Sequence, residues 1–211
     1  MKLLDWLFPK KCFLCGDFIV GEGDLCEACE KKLPEKPFRR LIVLEGERAL
    51  PVSASVPYTE KFRQALHRMK FQGRRRMAKP MGRIAARALP ADFKADAVTW
   101  VPLSKGSLKN RGYDQSELLA REIARTLGIP CIAALEKVRE TDEQHKLPRA
   151  RRASNVEGAY AAAAEAAGKR LVLVDDIVTT GATLRVCAQA LYTAGAAEVA
   201  GLCVADTPLE D

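Results

Sequence analysis

Residues Leu171 to Leu184 read LVLVDDIVTTGATL, and no other stretch of this chain limits its architecture so strongly. The four apolar residues Leu171 to Val174 are too few for a helix and read as a central strand buried on both faces, as in a parallel sheet. Asp175 and Asp176 follow at the carboxyl end of that strand, which is where open α/β sheets bind ligands. Thr179, Thr180, Gly181, Ala182 and Thr183 then supply hydroxyls and closely spaced N–H groups able to surround a phosphate. Gly181 lets the backbone approach without a Cβ, and the helix expected from Ala182 aims its positive end at the same place. An ionised carboxylate only accepts hydrogen bonds, so the acidic pair suits the vicinal hydroxyls of a ribose. Consecutive strand side chains point to opposite faces, so one Asp is expected to meet the sugar and the other to orient the loop or a metal-bound water. The plainer alternative, a buried strand and capped helix with solvated aspartates between them, does not account for so many converging features.

Seven cysteines fall into two groups. Cys12, Cys15, Cys26 and Cys29 form two C-x2-C knuckles ten residues apart, a spacing that can offer four thiolates to a tetrahedral Zn²⁺. The segment between them has too few apolar residues to fold without a crosslink, and Gly16, Gly21 and Gly23 supply turns. Two disulfides are the competing reading; they need an oxidising compartment, whereas Asp5 and Pro9 interrupt the only stretch resembling a secretion signal. Structural zinc in a cytoplasmic protein is the expectation, with no open position for catalysis. Cys131, Cys187 and Cys203 lie in apolar contexts and read as core residues.

The chain of 211 residues suffices for one full core and one small appended module. Residues 1–50 are assigned to the zinc module and a linker merging into a hairpin, and residues 51–211 to the main domain. From Tyr58 onward helices and strands alternate: two helices with Phe62, Leu66 and Met69, then Met77, Met81, Ile84 and Leu89, a strand over 97–103, a helix over 115–127, a strand near 131–135, the strand at 171, a helix from 182 to 194, and a strand over 199–204. The fold class is therefore α/β, a parallel sheet flanked by helices. No apolar run is long enough to span a membrane.

The formal net charge of +7 is concentrated. Between Lys61 and Arg87 there are ten bases and no acid, a segment suited to phosphates or nucleic acid, or simply a solvated helix face. With Phe62 and Phe71 inside it and Tyr58 beside it, the segment could track single-stranded DNA with sparse stacking. A second candidate region follows the strand at 97: a loop over 104–112 carrying Lys105, Lys109 and Arg111, of which Arg111 can grip a phosphate bidentately. Residues 137–158 lack periodic apolar positions and read as a lid, with Gln144, Arg152 and Asn155 facing the ligand. His67 and His145 are assigned no role.

LVLVDDIVTTGAT resembles the signature of the phosphoribosyltransferases, whose members bind phosphoribosyl pyrophosphate (PRPP) with Mg²⁺. Ala182 departs from the second glycine common in the salvage enzymes. The resemblance narrows to the ComF family: proteins with an N-terminal four-cysteine zinc module and a phosphoribosyltransferase domain, associated with DNA uptake in competent bacteria. It covers nearly the whole chain: the CxxC pairs, Tyr58, the stretch from Lys70 to Gly73, VPL at 101–103, RGYDQ at 111–115, then Thr141, Gln144, Leu147, Arg152, Asn155, Gly158 and VDDIVTTGAT. Tyr113 and Asp114 stand where the family usually has Phe and Asn, and an anion at 114 would repel a pyrophosphate placed there.

The resemblance implies a type I phosphoribosyltransferase-like sheet, with Asp175, Asp176 and Arg111 as catalytic residues. Thr179, Thr180, Gly181, Ala182, Thr183, Lys105, Lys109, Gln115, Gln144, Arg152 and Asn155 would bind PRPP. It also implies partners in competence, such as a helicase or other uptake machinery. A salvage enzyme acting on a free base is the alternative, though with aromatics at 6% no base-stacking hood can be pointed to. A PRPP-sensing regulator is a third reading, and no helix-turn-helix signal supports it.

Overall fold

The computed structural model describes residues 10–19, 23–46, 48–139 and 157–207. Among them are strands β1 (Phe38–Val43), β2 (Ala49–Pro57), β3 (Ala97–Trp100), β4 (Leu135–Lys137), β5 (Tyr160–Ala162), β6 (Arg170–Val178) and β7 (Glu198–Asp206). The α-helices are α1 (Glu27–Glu30), α2 (Glu60–Phe71), α3 (Ala78–Ala86), α4 (Lys105–Arg111), α5 (Gln115–Leu127) and α6 (Ala182–Thr193). Five strands form one sheet in the order β1-β2-β7-β6-β3, and β4 pairs with β5 in a separate ribbon. β2, β7, β6 and β3 are mutually parallel, so their carboxyl ends lie on one edge, while β1 is antiparallel to β2.

Alternation along β6 explains why the sheet is covered on both faces. Val172 and Val174 join Phe62, Met69, Met81, Ile84, Leu119 and Ile123 from α2, α3 and α5. Leu171 and Leu173 point the other way, into a cluster with Leu184, Cys187 and Leu191 of α6. Each such side chain, fully withdrawn from water, contributes about 1.5–3 kcal/mol. The zinc module shares the first of these cores through Cys12, Phe13, Leu25 and Cys29.

The helices follow their local signals. Thr59 caps α2, accepting from Phe62 N at 3.3 Å, and Phe62, Leu66 and Met69 form its buried stripe. α3 and α5 pack so closely that a Cβ on Gly82 would lie 2.8 Å from Glu122 Cβ.

Two local features differ from the expectations. The strand at 97 stops at Trp100, just before Pro102, whose missing N–H ends the ladder. Residues 104–112 are not an open loop: α4 occupies them, capped by Ser104, which accepts from Ser107 N at 3.2 Å, and ended by Gly112 at φ 72°. Its seven residues KGSLKNR carry a single large apolar side chain, so no hydrophobic period announced it. The expected hairpin extends the main sheet, with Leu50 and Val52 buried in the second core. Residues 38–50 therefore pack with the sheet.

Candidate functional site

The carboxyl ends of β6 and β3 bring together a carboxylate pair, a hydroxyl-rich turn and a cationic pocket. β6 continues to Val178, so Asp175 and Asp176 lie within the strand and on opposite faces. Asp175 Oδ1 accepts from Ser116 Oγ at 3.1 Å and from Asp176 N at 2.8 Å. Burial first, and then the neighbouring Asp176 charge, pushes the Asp175 carboxyl up to about 7, against the opposing pull of Lys70 and of its hydrogen bonds. Asp176 is buried, and its Oδ2 lies 2.6 Å from Lys70 Nζ. The alignment at that oxygen is not that of a hydrogen bond, so Oδ2 pairs in charge and retains lone pairs for another donor or a cation.

Beyond β6 the chain turns through Thr179 and Thr180 to Gly181, which adopts φ 77° at the start of α6. Thr180 Oγ1 accepts from Ala182 N at 3.4 Å, so this hydroxyl organises the turn. Gly181 is required twice over: its φ is left-handed, and a Cβ there would collide with Ile42 of β1. The same strand sends Arg40 across, whose Nη1 donates to Thr179 O at 2.8 Å and whose guanidinium pairs with Asp206 and with Thr207 O. Arg40 and Ile42 thus hold the turn from the hairpin, a role no sequence spacing revealed because its partners lie some 140 residues away in the chain.

Lys70 also lines a small pocket of about 180 Å³ with Phe71, Gly73, Ser107, Asn110, Arg111 and Tyr113. Arg111 donates to Gln115 Oε1 at 2.8 Å and lies over the Phe71 ring at 5.0 Å. Of the three cations expected to act together, Arg111 is in this pocket, while Lys105 and Lys109 are exposed on α4 and do not line it. Lys70 is the residue whose role sequence reasoning missed; its signals were membership of the basic segment and of the family-like stretch from Lys70 to Gly73. Gln144, Arg152 and Asn155, with the proposed lid over 137–158, fall largely or wholly outside the described residues.

The four N-terminal thiols form the second centre. The Sγ atoms of Cys12, Cys15, Cys26 and Cys29 all lie within 4.8 Å of one another. Tetrahedral thiolates at about 2.3 Å from Zn²⁺ would be about 3.8 Å apart, so the set fits that ion. The first knuckle is closed by Gly16 N donating to Cys12 O at 2.9 Å, with Gly16 at φ 85°, and the second by Glu30 N donating to Cys26 O at 2.9 Å.

Comparison with known proteins matches both centres. Residues 3–39 match the double zinc ribbon domain and residues 114–209 the phosphoribosyl transferase domain. The DNA utilization protein YhgH of Salmonella typhimurium is 31% identical over 93% of this chain and 84% of its own length. Its Escherichia coli K12 counterpart is 30% identical over the same shares. Competence protein F of Haemophilus influenzae is 27% identical over 91% of this chain and 95% of its own. The chain belongs to the ComF family.

Within the ComF pattern, the two departures at 113 and 114 become intelligible. Asp114 caps α5: its Oδ1 accepts from Ser116 N at 2.9 Å and Glu117 N at 3.2 Å, and its Oδ2 from Leu103 N at 2.8 Å. The carboxylate therefore faces inward and ties the end of the VPL segment to the helix, removing it as a source of repulsion for a ligand. Its burial raises its pKa, an effect these three donors oppose. The Tyr113 hydroxyl, which the family's usual Phe lacks, donates to Met69 O.

The basic segment is divided between bases paired within the protein and bases left on its surface. Arg68 reaches the carbonyls of Phe13 and Leu14 in the first zinc knuckle, Arg83 pairs with Asp24 and Glu122, Arg87 with Glu30, and Arg63 with Glu60. Arg75 lies over the Tyr113 ring and reaches Gly112 O. Phe62, expected as a stacking platform, is wholly buried in the core, whereas Phe71 remains 57% exposed. Lys61, Arg74, Arg76 and Lys79 are exposed. A groove of about 930 Å³ between the zinc module and the 73–77 turn is lined by Lys11, Arg68, Arg74, Arg75 and Arg76.

Proposed function

We propose that this ComF protein binds PRPP with Mg²⁺ at the carboxyl end of β6, in the cytoplasm, and serves DNA uptake through phosphoribosyl transfer or PRPP-linked handling of single-stranded DNA. The observation that carries this reading is the junction itself: two carboxylates, a three-threonine turn and a helix N-terminus converge beside a cationic pocket. The relatives named for DNA utilization and competence support the biological setting.

The carboxylates suit Mg²⁺, which takes hard oxygen ligands, and the buried Asp176 Oδ2 lacks an aligned donor. When bound, Mg²⁺ would neutralise the pyrophosphate and assist its departure. Asp175 and Asp176 would accept from the ribose hydroxyls and stabilise the positive charge that develops on the sugar. Thr179, Thr180, Gly181, Ala182 and Thr183 would enclose the 5-phosphate at the start of α6. Arg111 with Gln115 would meet the pyrophosphate, with Lys105 and Lys109 adding positive charge from the exposed side of α4; Gln144, Arg152 and Asn155, the other expected PRPP contacts, lie outside the described residues. No protein nucleophile is required, since the acceptor attacks the anomeric carbon directly.

The groove beside the zinc module favours direct contact with single-stranded DNA as part of the same function, because Arg74 and Arg76 are uncommitted among the described residues and flank a concave surface. Titration with an oligothymidylate across a salt series tests this. The logarithm of affinity should fall with that of salt, and replacing Arg74, Arg75 and Arg76 by Ala should lessen the slope by about 2. Identical slopes for wild type and variant would remove DNA from the groove. For the PRPP site, Thr179→Val/Thr180→Val should weaken PRPP binding in calorimetry; unchanged affinity would exclude the turn as the phosphate cradle.

A further inference from the structure

The last turn of α2 is clamped on both sides of Lys70. Arg68 is bound to the Phe13 and Leu14 carbonyls, Met69 O accepts from Tyr113, and Phe71 lies beneath Arg111. The backbone is therefore fixed while the Lys70 side chain, four methylenes long, retains freedom. It stands between two places: its ammonium is 2.6 Å from Asp176 Oδ2, and its side chain lines the 180 Å³ pocket with Ser107, Asn110 and Arg111. That pocket offers donors and cations and contains no carboxylate, so it suits an anion. Asp176 Oδ2, with charge pairing but no aligned hydrogen bond, suits a cation.

We propose that Lys70 is a positioning residue that holds the cation's place on Asp176 in the free protein and turns to the ligand's pyrophosphate when a divalent cation arrives. This rests on the reading of the cleft as a PRPP and Mg²⁺ site and adds an order to it. An ammonium and a divalent cation repel each other at one oxygen, so cation alone binds against Lys70. An anion in the adjoining pocket gives the ammonium a new partner, and cation and pyrophosphate therefore bind cooperatively. Lys70 acts through Asp176 and the ligand's leaving group, and no bond to it is made or broken.

The test uses the zinc-loaded full chain, with Mn²⁺ alone and then pyrophosphate with Mn²⁺ as probes. Lys70→Gln should bind Mn²⁺ alone at least about threefold tighter than wild type, since the competing charge is gone. The same variant should bind pyrophosphate with Mn²⁺ roughly tenfold more weakly, while Lys70→Arg keeps both affinities near wild type. Unchanged or weaker Mn²⁺ binding by folded Lys70→Gln, or undiminished pyrophosphate binding, would overturn the proposal. Should Lys70→Gln fail to fold, the ¹⁵Nζ signal of Lys70, assigned by its loss in Lys70→Arg, must shift on adding Mg²⁺ alone; a stationary signal also overturns it. PRPP binding by wild type separates the levels. Wild type that binds PRPP with Mg²⁺ while Lys70→Gln matches it sinks the Lys70 role only, whereas wild type that binds neither Mn²⁺ nor PRPP sinks both.

Discussion

The strand and turn at 171–184 and the basic segment at 61–87 both look directed at phosphates, and the fold uses them in opposite ways. The first keeps its carboxylates and hydroxyls at the open edge of the sheet. The second divides its charge: Arg68, Arg83 and Arg87 reach the zinc module and Lys70 meets Asp176, while Lys61, Arg63, Arg74, Arg76 and Lys79 stay exposed. A spacing tied to one strand-turn-helix unit carries its geometry with it. A count of charges fixes a sum and says nothing about partners. Part of the basic segment thus fastens the two centres together, and Arg74, Arg75 and Arg76 line one groove.

The comparison can be broken at several points. Removing zinc, by chelation or by Cys29→Ser, should have the largest effect. The module has few apolar contacts of its own, so its Cys12, Phe13 and Leu25 should leave the shared core. Calorimetric scanning with metal analysis should show loss of zinc together with a large fall in Tm; an unchanged Tm would mean that the basic fastener, and not the metal, holds the module. Next, Gly181→Ala should cost roughly 1–2 kcal/mol for the left-handed backbone alone, with more from the collision with Ile42. Adding Ile42→Ala should recover only the collision part, and denaturant titration of the two variants tells them apart.

Within the basic segment, Arg83→Ala and Arg76→Ala should diverge. Arg83 is 37% exposed, yet its partners Asp24 and Glu122 are 11% and 7% exposed. Leaving Asp24 unpaired, with Glu122 held by Arg125 alone, should cost about 1–2 kcal/mol, the buried-pair figure reduced for solvent screening. Arg76→Ala should stay within about 0.5 kcal/mol while weakening DNA binding; equal losses of stability would erase the distinction between fastener and groove. Asp114→Asn should keep the cap on Ser116 and Glu117 through its one oxygen but lose the bond from Leu103 N, at about 1 kcal/mol. Asp114→Ala, which loses all three bonds, should cost about 2 kcal/mol, measured in the same titration.

What was legible in the sequence was local. LVLVDDIVTTGATL declared a strand, a ligand edge and a helix start, and α5 occupies the expected 115–127, with its Asp cap and Gly128 at φ 70°. The knuckle spacing declared the four-thiol cluster. What escaped was long-range. Arg40 reaching Thr179, Ile42 over Gly181 and Lys70 on Asp176 each join residues more than a hundred positions apart, and neither propensity nor periodicity encodes such pairs. The role of Asp114 stays open in the sequence because its three backbone donors appear only when the VPL segment folds against α5.

The central claim is that the β6 carboxylates form a PRPP site. Calorimetric titration of PRPP into zinc-loaded protein with Mg²⁺, for wild type and for Asp175→Asn/Asp176→Asn, tests it most directly. The account predicts saturable binding by wild type that is lost in the folded double variant. Absence of binding to folded wild type, or equal binding by both, would contradict it.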